Sequence, residues 1–331
     1  MPQRQKVVVT DLVAGNLDPE CRILGDLADV SAVSAKTEDD LIGRVEDADA
    51  LMVYHTMIVS RRVIERLTRC KLIVRCGVGF DNVDHVFARK CGIPVGNVPD
   101  YGTEEVADSA LGMALSLMRG IAFLNTTLRD RHVPWSWRHV APLHRLRAKV
   151  FAIVGFGRIG TAAAVRAKAF GMDVAFYDPY KPDGYDKALG IRRVETLFDL
   201  LGQAHVVSMH CPLTKETDKL IDAAALEQLP RGSYLVNTAR GAVVDTSAIA
   251  PAVASGRLAG AAIDVLPHEP PGGDDPLIVA WRNPEHPAHH RVILNPHTAF
   301  YSEEGLMDMR VKGATACRRA LEGLPLRNIV N

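Results

Sequence analysis

The sequence predicts an α/β fold built on two doubly wound parallel sheets. Three observations carry that prediction. The chain has 331 residues, more than one hydrophobic core usually holds, so two domains are expected. Short apolar runs alternate with helix-like stretches, the order that gives a parallel sheet covered on both faces. The same βα rhythm starts afresh near residue 150 without any tandem repeat, so each domain has its own sheet.

In the first domain, apolar runs at 7–11, 50–53, 71–74 and 93–95 read as buried strands, with helix-like stretches at 38–45 and 61–67. This unit ends near Asn97-Val98-Pro99. Residues 103–118 then read as one long helix, because Val106, Ala110, Met113, Ala114 and Leu117 recur at helical spacing. Thr103 is the expected N-cap, with Glu104 and Glu105 in the first turn where the helix dipole favours acids. Residues 129–149 are rich in Arg, His, Pro and Trp and read as an irregular arm. Its Trp135 and Trp137 either cap a substrate pocket, in this chain or a partner subunit, or pack the arm against the core.

The second domain opens with the run Val150-Phe151-Ala152-Ile153-Val154. Strands follow at 173–177, 205–209, 233–236, 260–264 and 291–294, and the last helix covers about 303–321. That helix could return to the first domain and make it discontinuous.

Bulk composition narrows the function classes. Hydrophobic residues are 47% and charged residues 24%, as in soluble globular proteins. The 39 basic and 39 acidic side chains cancel, which gives no support for nucleic acid or an anionic membrane as partner. No apolar run approaches the ~20 residues that span a bilayer. The start, Met1-Pro2-Gln3-Arg4-Gln5-Lys6, leads straight into a strand with no signal-like apolar region. The six cysteines are scattered and none forms a C-x-x-C pair, so a reducing cytoplasm is expected rather than disulfides or zinc. His286, His289 and His290 cluster without a carboxylate or cysteine at ligand spacing; a solvated loop, and no metal, is expected there.

The stretch Gly155-Phe156-Gly157-Arg158-Ile159-Gly160 stands directly after a strand and opens a helix at 161–170. In that context Gly155 permits a tight turn, Gly157 lets the backbone approach a pyrophosphate, and Gly160 lets helix and strand pack closely. N–H groups at the helix start would face the phosphates. Asp178 closes the next strand, 18 residues after Gly160 and near the ~20 expected for a ribose-binding acid. A carboxylate there would repel a 2′-phosphate, so the expected cofactor is NAD and the expected domain a Rossmann fold.

Three later segments also follow strands: Asn237-Thr238-Ala239-Arg240-Gly241, residues 263–270 with Glu269, and Asn295-Pro296-His297. Ligands of open α/β sheets bind at the carboxyl ends of strands, so Arg240, Glu269 and His297 could converge near a nicotinamide. Arginine suits a substrate carboxylate, histidine is the acid/base near neutral pH, and a carboxylate beside it would orient and stabilise the imidazolium.

With Gly77-Val78-Gly79-Phe80-Asp81-Asn82-Val83-Asp84 added to these motifs, the chain resembles the D-isomer-specific 2-hydroxyacid dehydrogenase family over almost its whole length. Within it the nearest likeness is to the C-terminal-binding-protein branch, through Arg166-Ala167-Lys168-Ala169-Phe170-Gly171, Phe176-Tyr177-Asp178-Pro179-Tyr180 and Tyr301-Ser302-Glu303. The resemblance implies a flavodoxin-like substrate domain, residues 1–101 and 299–331, with a NAD-binding domain inserted at 102–298. It implies that Arg240 binds the substrate carboxylate, His297 donates the proton in ketoacid reduction, and Glu269 pairs with it. The backbone of Val78 and Gly79 would help hold the carboxylate, with Arg75 nearby. Val78, Val106 and Ala239 would contact the cofactor, Thr238 and Asp264 would flank its nicotinamide, and Cys211 to Thr217 would contact its adenosine side. A small 2-hydroxy or 2-keto acid is the implied substrate, and a homodimer through the NAD-binding domain the implied assembly.

The sequence departs from the branch in three places. Phe300 stands where those proteins carry a tryptophan, Val78 replaces a serine, and Val106 replaces a threonine. Two alternatives stay open: a NAD(H)-sensing binding protein like the C-terminal-binding corepressors, and a phosphoglycerate or hydroxypyruvate dehydrogenase, in which Arg75 could meet a phosphate.

Overall fold

The computed structural model describes residues 4–11 and 15–331; Met1, Pro2 and Gln3 of the expected leader-free start lie outside them. The chain forms two compact units. One runs to Gly102 and resumes over Tyr301–Asn331; the other is Thr103–Phe300.

The first unit contains β1 (Gln5–Val9), α1 (Asp18–Leu24), β2 (Ala28–Ala32), β3 (Ala50–Val53), α2 (Arg61–Ile64), β4 (Leu72–Arg75), α3 (His85–Lys90) and β5 (Val95–Asn97). All its strands are parallel, in the order β2-β1-β3-β4-β5, the flavodoxin-like order. Val7, Val8, Val9 and the whole of β3 are shut off from solvent, which is why they read as unbroken apolar runs. The helix expected over 38–45 is a single 3-10 turn, Glu38–Leu41. Asp40 folds back onto the Thr37 N–H at 2.9 Å, and Gly43, at φ +85°, turns the chain out of helical conformation. The helix expected over 61–67 stops at Ile64; beyond it Arg66 and Leu67 close only i→i+3 turns.

The C-terminal helix, Glu303–Leu321, completes this unit. Ser302 caps it, its hydroxyl accepting the Gly305 N–H at 2.8 Å. Arg310 on this helix faces the fully buried Glu20 of α1 through a bidentate pair, 2.7 Å from Nε and 2.6 Å from Nη2. The chain after the helix lies along β5: Asn97 N–H donates to Asn328 and Val330 N–H to Val95, while Asn331 Oδ1 accepts the Val95 N–H. The edge of the sheet is thereby covered.

The second unit opens with α4 (Thr103–Arg119) and α5 (Ile121–Thr127). It then alternates β6 (Val150–Val154), α6 (Arg158–Ala169), β7 (Asp173–Tyr177), α7 (Tyr185–Leu189), β8 (Arg192–Arg193), α8 (Leu197–Leu201) and β9 (Val206–Met209). It finishes with α9 (Ala223–Gln228), β10 (Ser233–Asn237), α10 (Ile249–Ala254), β11 (Leu258–Ile263), α11 (Pro276–Arg282), α12 (Ala288–Arg291) and β12 (Val292–Leu294). The parallel order is β12-β11-β10-β9-β6-β7-β8, a Rossmann order whose direction reverses between β6 and β9. Ligands bind at such a reversal.

Four expectations are corrected here. Thr103 is the first residue of α4 and not its cap, and its hydroxyl is buried without a hydrogen-bond partner. α6 begins at Arg158, three residues before the expected start, so the glycine motif itself forms the first turn and Gly157 is the cap. His289 and His290 lie in the short helix α12 instead of a loop, with His289 Nδ1 2.8 Å from the Trp281 carbonyl. The arm at 129–149 is irregular apart from one 3-10 turn, Trp137–Val140, but Trp135 and Trp137 are 89% and 72% exposed, so neither packs it onto the core. Among the described residues no single helix is long and apolar enough to cross a bilayer.

Candidate active site

The reversal between β6 and β9 is built for close approach. Gly155 has φ +90°, and a Cβ there would lie 2.5 Å from the Cys211 backbone nitrogen. No side chain fits, so the tip of β9 rests directly on the turn after β6. A Cβ on Gly160 would lie 2.2 Å from the Gly155 carbonyl, which is what lets α6 start against the strand. Gly157 differs: a Cβ there meets nothing within 4 Å, so the surface over the helix start is open. The first-turn N–H groups at Arg158, Ile159 and Gly160 have no intrahelical acceptor and face that opening with the positive helix end.

Asp178 ends β7 as expected. Its Oδ2 accepts the Phe156 N–H at 2.8 Å and its Oδ1 the Tyr180 N–H at 3.0 Å. The acid is therefore fixed to the glycine turn itself. Phe156 contributes that N–H and no side chain, since its ring is buried and stacked on Phe176 with centroids 4.0 Å apart. Buried hydroxyls of Thr161 and Thr238 and the Nδ1 of His210 have no hydrogen-bond partner. Orphaned polar atoms are rare in native interiors, and here all three lie at the carboxyl ends of strands or the start of α6. Open glycine, helix start, fixed acid and unspent polar groups all fit a dinucleotide.

The second cluster is assembled from three strand ends of the same unit. His297 Nδ1 lies 2.7 Å from Glu269 Oε2, and both side chains are about one third exposed (32% and 35%), so the imidazole is held yet reachable. Glu269 Oε1 accepts the Leu266 N–H at 2.7 Å, which fixes the carboxylate. Burial alone would raise the Glu269 pKa; the His297 hydrogen bond, the Leu266 N–H and the positive charges of His297 and Arg240 outweigh it and hold the carboxyl below its ordinary value. Phe300 stands edge-on to the His297 ring, centroids 6.1 Å apart.

Arg240 reaches this cluster because of its neighbours. Asn237 folds over the turn, donating from Nδ2 to the Arg240 carbonyl at 2.9 Å and accepting the Ala239 N–H at 3.0 Å. Arg240 Nη1 donates to the Ala239 carbonyl at 2.8 Å. Gly241 is required by proximity: a Cβ would lie 1.9 Å from the Leu266 carbonyl carbon, so the Arg240 and Glu269 loops touch through bare backbone. Asp264 takes a supporting position. Its carboxylate accepts the Thr298 N–H at 2.9 Å and the Ala299 N–H at 3.1 Å, and its carbonyl accepts the His297 N–H at 2.7 Å. Burial keeps its pKa raised despite those donors. It shapes the loop that presents His297, which itself holds φ +55°.

The remaining expected residues are less directly engaged. Val106 is buried on α4 and Cys211 is buried at the tip of β9, its thiol pushed up to about 11 by burial. Thr217 spends its hydroxyl inside its own loop, on the Pro212 carbonyl at 2.6 Å and the Thr214 N–H at 2.7 Å. In the first unit, Arg75 is buried and turned toward the Cys76 carbonyl at 3.4 Å; a Cβ on Gly77 would collide with its guanidinium. The Val78 carbonyl accepts Asn97 Nδ2 at 2.7 Å, which fixes the Val78-Gly79 turn.

Two features escaped the sequence. Ser208 Oγ lies 2.9 Å from His210 Nε2, and burial drives the His210 pKa down to about 4, so its ring is neutral at pH 7. Its place directly after β9 was the available signal. The other, Gly241, stood in a quoted motif but shows its purpose only when Leu266 is beside it.

Sheet order, glycine cradle and fixed acid define a dinucleotide-binding α/β protein. Residues 111–299 match the NAD-binding domain of the D-isomer specific 2-hydroxyacid dehydrogenases. The chain belongs to that family, and its cofactor is NAD. It is 31% identical over 331 residues to C-terminal-binding protein 1 of Caenorhabditis elegans, covering 97% of this chain and 44% of that one. It is 32% identical over 326 residues to D-3-phosphoglycerate dehydrogenase of Methanocaldococcus jannaschii, covering 98% of this chain and 59% of that one. The chain thus spans about half the length of these relatives. Among solved structures, a D-lactate dehydrogenase of Aquifex aeolicus, complexed with NAD and lactic acid, superposes with a TM-score of 0.84 at 26% identity, covering 96% of each chain.

Proposed function

We propose that the chain is a D-2-hydroxyacid dehydrogenase that moves a hydride reversibly between NAD(H) and a small 2-hydroxy or 2-keto acid. The observation that carries this reading is the 2.7 Å His297–Glu269 pair joined, across the Gly241 contact, to the loop of Arg240. NAD, when bound, supplies the hydride acceptor in one direction and donor in the other. Arg240 binds the substrate carboxylate with its planar, permanently charged fork. His297 Nε2 takes the proton of the hydroxyl during oxidation and returns it to the carbonyl oxygen during reduction. Glu269 holds Nδ1, fixes the ring and stabilises its charged form. Asp178 meets the adenosine ribose and disfavours a 2′-phosphate.

The first unit is read as the substrate domain. The cytoplasm is the proposed location. Trp135, Trp137 and Ile121, exposed on the second unit, support a homodimer through that unit, which light scattering would register as twice the 36.0 kDa chain mass.

The test is a panel of 2-keto acids with NADH, including glyoxylate, hydroxypyruvate, phenylpyruvate and a methylthio ketoacid. Turnover of at least one is expected, and His297→Ala should lower it by ~10² or more. Undiminished turnover in that variant would remove His297 from the chemistry. A second reading, a NAD(H) sensor, is favoured by the likeness to C-terminal-binding protein 1. No turnover on any acid, with NADH-dependent change in oligomeric mass, would establish it.

A further inference from the structure

Two loops of the second unit are anchored to the glycine turn. The loop after β7 is tied through Asp178, which accepts the Phe156 N–H. The loop after β9 is tied through Cys211, whose backbone nitrogen comes within 2.5 Å of where a Gly155 Cβ would stand. Between them runs one side-chain bridge: the Tyr180 hydroxyl donates to Glu216 Oε2. Tyr180 is 75% exposed and Glu216 is also exposed, so the bridge packs no core. Both ends are nevertheless held. The Tyr180 N–H is bound to Asp178, and the turn carrying Glu216 is stiffened by Thr217 and by the Glu216 N–H on Thr214 Oγ1 at 3.2 Å. The Glu216 hydrogen bond raises the tyrosine pKa, with Asp178 adding its charge, so the hydroxyl stays a donor throughout the neutral range. Lys181, the cation of the first loop, lies over the Tyr185 ring at 5.0 Å instead of neutralising either acid.

We propose that Tyr180 and Glu216 form a clasp over the adenosine end of the cofactor site, and that Glu216 acts with Asp178 as a second acid excluding a 2′-phosphate. This rests on reading Asp178 as the ribose ligand. A dinucleotide entering between the loops must part the clasp and is retained when it closes. A 2′-phosphate would add about two negative charges close to two carboxylates, where its repulsion is screened only in part at physiological salt.

The test is equilibrium binding of NADH and NADPH by dinucleotide fluorescence, with stopped-flow release of NADH, on the full chain. Glu216→Gln should lower the ratio of the NADPH to the NADH dissociation constant by about threefold, with NADH affinity nearly unchanged, and the effect should shrink at high salt. Tyr180→Phe should speed NADH release several-fold. Asp178→Asn is the control for the ribose reading and should lower the same ratio by itself. If Asp178→Asn lowers it and Glu216→Gln does not, the second acid is overturned and the ribose reading stands. If Asp178→Asn leaves it unchanged, the ribose reading fails first. Unchanged NADH release from Tyr180→Phe would reduce the bridge to a surface contact and overturn the clasp.

Discussion

Glu269 couples the candidate chemistry to pH. Its carboxyl is held below the ordinary 4.5 in the folded chain. A depressed carboxyl contributes stability that is fully present above its unfolded value and is lost as pH falls through its folded value. The pair should thus be intact across the neutral range and fail below about pH 4.5. Glu269→Gln should flatten the acid side of the melting-temperature profile in that window; an unchanged profile would show that the pair adds nothing to folding. At this scale the sequence was informative where position alone identifies a residue. Arg240, Glu269 and His297 each follow a strand, and Asp178 ends one. It was silent on Ser208 with His210 and on Tyr180 with Glu216, because the latter pair is joined across 36 residues by a fold that composition does not reveal.

Elements were legible in proportion to their burial. β3 and β6 were read to the residue because both faces are covered, and the C-terminal helix because its periodicity is long. β2, with the half-exposed sequence Ala28–Ala32, gave no apolar run and was missed. The stretch at 38–45 looked helical by composition, but Gly43 overrode it. Loops are where elements exert control over the site. Gly241→Ala drives a methyl into the Leu266–Pro267 backbone and must separate the Arg240 loop from the Glu269 loop. Turnover should fall by ~10² through misplacement. Far-ultraviolet circular dichroism should be retained, since β10 and β11 pair upstream of the contact. Normal turnover in this variant would mean that the two loops do not act as one piece.

On the scale of the whole molecule, the chain leaves its first unit at Gly102 and returns to it at Tyr301. The early elements are therefore completed by the C-terminal helix, and Glu20 of α1 with Arg310 is a buried polar tie between them, 290 residues apart. Breaking a buried pair by removing one partner costs about 3–5 kcal/mol. Glu20→Ala should lower stability by about that amount in chemical denaturation, while the isosteric Glu20→Gln, which keeps an acceptor for the guanidinium, should lower it less. Equal melting of Glu20→Ala and the parent would show that the tie is redundant. From the residues alone the discontinuity was legible only as a possibility, its definite bounds coming from the family resemblance, since an apolar helix face carries no address; two pairs of guanidinium and carboxylate, Arg310–Glu20 and Arg318–Asp26, supply it.

His297 sits at φ +55°, in the left-handed region where glycine is unstrained and asparagine, aspartate and histidine are the side chains seen most often. Such a conformation costs of order 1–3 kcal/mol and persists only where its surroundings impose it. Under the proposed role in proton transfer, the position holds a histidine where glycine would carry no backbone strain. Exchanging the histidine for glycine would relax the backbone but would also take away the partner of Glu269, so the two effects on stability oppose each other.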